Sequence, residues 1–131
     1  MNSIERIDYL LAGNPNTPPN VLEQLAMDKD KRVRLHIAEN INTPQAVLER
    51  LADDLDSEVV AAVASHPSIS RDLRSALVLH DNIGVRYEIA QNPLARASVL
   101  FMLVEDENAY VKERALETIR KFWVNEFCAN L

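Results

Sequence analysis

A shift of 26 residues lays this chain onto itself. Asn14, Asn40, His66 and Asn92 fall in one column, and each is preceded two places earlier by an alanine, at Ala12, Ala38, Ala64 and Ala90. The same shift stacks Val21, Val47, Leu73 and Val99, then Leu25, Leu51, Leu77 and Leu103, then Ala26, Ala52, Val78 and Val104. It also stacks Val33, Val59, Val85 and Val111, with Ile37, Val63, Ile89 and Ala115 four places on. Repetition at a fixed short period means a row of like units, each too small to bury its own apolar face and each completed by its neighbours.

Within a unit the apolar spacing is helical. Val47, Leu48, Leu51 and Ala52 form one stripe, here called helix A, and Val59, Val63 and Ala64 form a second, helix B, after a short polar break. Thr17 before Pro18 and Thr43 before Pro44 read as N-caps of the A helices, the hydroxyl accepting an orphan N–H and proline lacking one. Asp30, Asp56, Asn82 and Asn108 precede the B stripes and read as their N-caps. Asn14, Asn40 and Asn92 read as left-handed residues that stop the B helices. Isolated helices this short are marginal, so stacking must stabilise them.

The expected fold is all-α: a solenoid of about four and a half 26-residue two-helix repeats in one helical-repeat domain, residues 1–131. Its register runs near 1–13, 14–39, 40–65, 66–91 and 92–117, with a C-terminal cap over 118–131. The opening half-unit places Ile7, Leu11 and Ala12 in the B columns.

The stretch "AGNPNTPPNVLEQLAMDKDKRVRLHIA", Ala12 to Ala38, resembles the leucine-rich repeat variant family, a HEAT- and armadillo-like group of helical repeats. The resemblance runs through the chain. It is strong in the first two units and degraded in "HPSISRDL" and "NPLARASVL", which lose the Thr-Pro pair. It implies a right-handed superhelix of alternating helices, with one helix of each pair short. Some members of that family carry a cysteine cluster for an iron–sulfur centre. Only Cys128 is present here, so that feature does not carry over.

Composition narrows the function. A net charge of −6 disfavours nucleic acid as a partner, because phosphate-binding surfaces are basic. One cysteine permits no internal disulfide, which fits a reducing cytoplasm, as in a bacterial cytoplasmic protein. The opening "MNSIERIDYLLA" carries Glu5, Arg6 and Asp8, wrong for a signal-peptide core, and the uncharged run from Val59 to Ser70 contains Pro67 and is too short for a membrane span. With only Gly13 and Gly84 the chain can write neither a Walker loop nor a dinucleotide fingerprint, and the zinc-protease and serine-hydrolase signatures are absent. No catalytic, metal or cofactor site is expected. His66, in the asparagine column, reads as a turn residue bonding local backbone, and His80, in the column of Asp28, Asp54 and Asp106, as a solvent-facing polar group.

Binding is the expected activity, with a protein as partner. Arg34, Arg86 and Lys112 share a column that reads either as a strip for a ligand or as an ion-pair ladder with the aspartates Asp28, Asp30, Asp53, Asp54 and Asp56. The columns break where polar positions turn apolar. Phe101 stands with Glu23, Glu49 and Ser75; Met102 with Gln24, Arg50 and Ala76; Tyr110 with Arg6, Arg32, Glu58 and Gly84. No proline follows Thr118, and "AYVKERALETIRKFWVNEFC" reads as one long helix with Val111, Ala115, Ile119, Phe122 and Trp123 on a face. Phe122, Trp123 and Phe127 either fold on Phe101 and Met102 as a cap or form an interface for a partner or a second copy. The competing expectations are a nucleic-acid-processing HEAT-like domain and a structural homo-oligomer joined through the C-terminal helix.

Overall fold

Where a short polar side chain stands just ahead of a B-helix apolar stripe, it sets the start of that helix. The structure is a computed structural model and describes residues 1–124, with the side chains of Trp123 and Val124 left aside. Among the described residues it is all-α: α1 Ser3–Gly13, α2 Pro19–Leu25, α3 Lys31–Glu39, α4 Gln45–Leu51, α5 Ser57–Ser65, α6 Arg71–Leu77, α7 Ile83–Ala90, α8 Ala97–Val104 and α9 Ala109–Thr118, followed by a π-helical segment Ile119–Val124. No helix there is long and apolar enough to cross a membrane.

The B helices start as the sequence requires. Asp30 accepts the Arg32 N–H, Asp56 the Glu58 N–H, Asn82 those of Gly84 and Val85, and Asn108 those of Tyr110 and Val111. A second tier stands two residues earlier, where Asp28, Asp54, His80 and Asp106 each accept the N–H of the capping residue itself. His80 does this with Nδ1 at 3.0 Å, so it is half-buried turn structure in a column of aspartates.

The A helices start differently from expectation. The N-cap positions of α2, α4 and α8 are Pro18, Pro44 and Arg96, with no side-chain cap. Thr17 and Thr43 face backwards: each Oγ1 donates at 2.6 Å to a carbonyl in the last turn of the preceding helix, Leu11 O and Ile37 O. A helix C-terminus leaves carbonyls without partners, and a hydroxyl can donate to one where a carboxylate cannot. The threonines therefore close the B helices and do not open the A helices.

The asparagines also work otherwise than predicted. No described non-glycine residue has positive φ; Asn14 sits at φ −82° and Asn40 at φ −69°, both extended. Their side chains make the turn, with Oδ1 of Asn14, Asn40 and Asn92 accepting the N–H two residues on.

The chain divides into two compact units, Met1–Ser70 and Arg71–Leu131. In the first, α3 packs between α1 and α5, with α2 and α4 each bridging the B helices on either side. Its core holds Leu22, Val33, Ile37, Val47, Leu48, Leu51, Val59 and Val63, all 2% exposed or less. In the second, α9 packs on α7 and α8, and the π segment packs on α9 and α8. Val85, Ile89, Leu100, Leu103, Val111 and Ala115 form its core. Each such buried valine or leucine contributes about 1.5–3 kcal/mol against exposure.

Helical winding does continue past Thr118, but as a π segment, where i→i+5 bonding shifts the phase of the face. Val111 and Ala115 are fully buried, Ile119 half-buried and Phe122 40% exposed, so burial along the predicted face falls off from Ala115 to Phe122. Thr118 replaces the column's asparagine by reaching back along the chain, its Oγ1 donating to Ala90 O at 2.6 Å.

Candidate functional site

The arginine column is the first candidate. From α3, Arg34 grips Asp54 with two prongs, Nε to Oδ2 at 2.8 Å and Nη2 to Oδ1 at 3.2 Å, while Nη1 donates to Asp28 O and Lys29 O. From α7, Arg86 repeats the arrangement on Asp106 at the same distances, with Nη1 on His80 O and Asp81 O. A guanidinium has a rigid fork of donors, and here Nε and both terminal nitrogens are engaged within the fold. Burial raises the pKa of Asp54 and Asp106, but the arginine facing each carboxylate, with an N–H from Asp56 or Asn108, outweighs it and holds both below the usual value. The aspartates hold the pKa of Arg34 and Arg86 above the usual value in turn. Of the column, only Lys112 is exposed without an ion pair among the described residues.

The remaining acidic residues are mostly engaged in the same way. Asp28 and Asp30 make the turn and the cap of α3, and Lys31 reaches both Asp56 and Glu58. Among the described residues no group of three His, Cys, Asp or Glu side chains could hold a metal ion.

The second candidate is apolar. On α8, Phe101 is 61% and Met102 53% exposed, and on α9 Tyr110 is 78% exposed. Phe122 stands on the π segment beside an open depression of about 390 Å³, bordered by Arg114, Glu117, Thr118 and Lys121. The Lys121 ammonium lies 5.4 Å from the Phe122 ring centroid, and Arg114 Nη1 pairs with Glu117 at 2.8 Å. Because α8, α9 and the π segment pack on one another, these side chains share one unit. The Trp123 side chain, Phe127 and Cys128 lie outside the described residues, and with them part of the predicted cap.

Three arrangements escape the sequence reading. His66 is 2% exposed; its Nδ1 accepts the Ser68 N–H at 3.0 Å, so Nε2 carries the proton that bonds Asn40 O at 2.8 Å. The turn role holds, yet the second bond reaches back 26 residues, as Asn40 Nδ2 reaches Asn14 O at 3.0 Å and Ala12 O at 2.9 Å. Gly13 leaves room for His36, whose ring lies against Tyr9 with centroids 3.9 Å apart and planes tilted by 35°. Arg74 is 6% exposed in the column of Leu22, Leu48 and Leu100, and comparing that column would have found it.

Compared with family models, with curated proteins and with solved structures, the chain gives no match.

Proposed function

We propose that the protein is a non-catalytic, cytoplasmic binding module or adaptor of the leucine-rich repeat variant kind, and that its ligand is another protein. In this reading the chain is a right-handed superhelix of about four and a half two-helix units. Support comes from bonds that recur at multiples of the 26-residue period: Arg34 to Asp54 returns two periods on as Arg86 to Asp106, and Asn40 to Ala12 returns three periods on as Thr118 to Ala90. The step from such an array to protein binding is an analogy between folds.

One observation carries the choice of surface. Phe101, Met102 and Tyr110 replace residues that are mostly polar in other units, and they are more than half exposed. Aromatic side chains and methionine are enriched in interface cores, whereas a column kept for solvent has no use for them. Residues 109–124 also carry four basic against two acidic side chains, Lys112, Arg114, Arg120 and Lys121 against Glu113 and Glu117, in a chain of net charge −6. An acidic partner with an apolar anchor fits that pattern.

The test restores the column residues. A Phe101→Glu/Met102→Gln variant is compared with the wild type by affinity capture and by light scattering, with circular dichroism as the control on folding. Loss of one specific captured protein, with helicity unchanged, is the expected outcome. A fall in molar mass from dimer to monomer gives the surface to self-association instead. Identical partners and identical mass in both proteins would refute the assignment of this face.

A further inference from the structure

Two arginines are buried among the described residues, and they differ in one respect. Arg86, 7% exposed, has Asp106 against its fork and makes four hydrogen bonds. Arg74, 6% exposed, makes one, from Nη1 to Leu94 O at 3.0 Å, and its Nε is buried with no partner. Among the described residues no carboxylate stands within ion-pair distance of it. Its nearest charged influence is another cation, Arg71, one turn earlier on α6, and the exposed Asp72 beside Arg71 pairs with neither.

A buried cation without a counter-charge is among the costliest features a fold can carry. The leucines that hold this column at positions 22, 48 and 100 are fully buried and show that the site accepts an apolar side chain. Burial and Arg71 both push the Arg74 pKa below its ordinary value, the direction that a nearby anion would reverse. A guanidinium whose Nε is desolvated in advance and lacks an acceptor is the form such a site takes before an oxyanion arrives.

We propose that Arg74, with Arg71 beside it, is an oxyanion-binding point, taking a carboxylate or phosphate group from a ligand in the role that Asp106 plays for Arg86. The ligand oxygen meets the guanidinium beside Leu94 O, and the Arg71 cation adds to the attraction. The site stands whether or not the chain binds a protein through Phe101 and Met102.

The full-length chain is unfolded with urea at constant ionic strength, with sodium phosphate replacing chloride in one arm and a hexaglutamate peptide added in the other. Wild type and Arg74→Leu are compared, the substitution restoring the column residue. Phosphate stabilises proteins generally by exclusion from their surface, and that part is common to both. At a concentration ten times the dissociation constant, specific binding lowers the wild-type unfolding equilibrium constant about tenfold more than it does in Arg74→Leu. In the wild type the Arg74 Nε–H resonance, followed by NMR, shifts and saturates in the same concentration range, a readout that needs no variant. A response to phosphate identifies a free anion as sufficient, and a response to the peptide alone identifies a protein carboxylate. Equal responses of the two proteins in both arms, with an unmoved Nε–H resonance, would overturn the proposal.

Discussion

Removing Asp106 should destabilise the protein far more than removing an ordinary surface carboxylate. The side chains of Arg86 and Asp106 are 9% and 8% exposed, so Asp106→Ala strands a buried guanidinium. Breaking one side of such a pair costs about 3–5 kcal/mol. The substitution also frees the Asn108 N–H, which Asp106 Oδ1 accepts at 2.8 Å, adding about 1 kcal/mol. The bonds from Arg86 Nη1 to His80 O and Asp81 O survive and offset part of this, leaving about 4 kcal/mol, or several-hundred-fold in the unfolding equilibrium. Asp54→Ala should cost less, since Arg34 is 19% exposed. Arg86→Met/Asp106→Leu removes both charges and should recover most of the loss. The sequence already contains such a replacement, because Val60 and His80 stand where the two columns otherwise hold Arg34 or Arg86 and Asp54 or Asp106. The assay is urea unfolding of the wild type, Asp106→Ala, Asp54→Ala and Arg86→Met/Asp106→Leu, with a shared denaturant slope confirming a common unfolding reaction. A cost below about 1 kcal/mol for Asp106→Ala, the range of exposed pairs, would refute the reasoning. A double variant as unstable as the single would refute the stranded charge as its cause.

Acid should reproduce the effect reversibly. The folded-state pKa values of Asp54 and Asp106 are depressed, so their stabilisation is fully present above the unfolded carboxylate value, about 3.9, and is lost as pH falls through the folded values. Stability measured from pH 6 downward should fall less steeply in Arg86→Met/Asp106→Leu than in the wild type. At Gly13, alanine would ordinarily gain up to about 1 kcal/mol in a helix, but its Cβ would lie 2.8 Å from His36 Nδ1. Thermal unfolding should show no gain for Gly13→Ala in the wild type and a gain of about 1 kcal/mol in a His36→Ala background; equal effects in both would remove the steric explanation. His66→Asn should cost about 1 kcal/mol, since asparagine can accept from Ser68 and donate to Asn40 O, whereas His66→Leu strands both groups and should cost about 2–3 kcal/mol by urea unfolding. Equal costs for the two would show that the bonds contribute nothing.

What the sequence makes legible, and what it does not, follows from the number of partners each side chain has to choose among. Val33, Val59, Val85 and Val111 are all buried because an apolar stripe at helical spacing has one stable use. Asp30, Asp56, Asn82 and Asn108 cap as expected, because a short acceptor ahead of such a stripe finds unpaired N–H groups at once. Thr17 and Thr43 go the other way. A hydroxyl donates as readily as it accepts, and the carbonyl it prefers lies six residues back, off the helix it precedes. Asparagine in a helix-ending column suggests positive φ, but its own side chain makes the turn without it. Of the candidate binding residues, Arg34 and Arg86 have acceptors 20 residues away, beyond what local pattern reveals, and the geometry engages them inside the fold. Phe101, Met102 and Tyr110, apolar in columns that are mostly polar, are exposed. Arg74 is legible only as a departure from a leucine column, and columns that repeat cleanly do not draw the eye to it.

The bonds that reach from one turn to the one before it also govern how such a gene can change. Asn40 to Asn14 and His66 to Asn40 both span 26 residues, so donor and acceptor are separated by whole units of chain. Adding or deleting a few residues inside a helix between them turns that helix's apolar stripe off the core and moves its turn residues out of register with their carbonyls. Duplicating or excising 26 residues leaves the turn bonds of the asparagine column with equivalent partners and each stripe in place. Length in a chain built this way is quantised, and its permitted variation is the repeat itself.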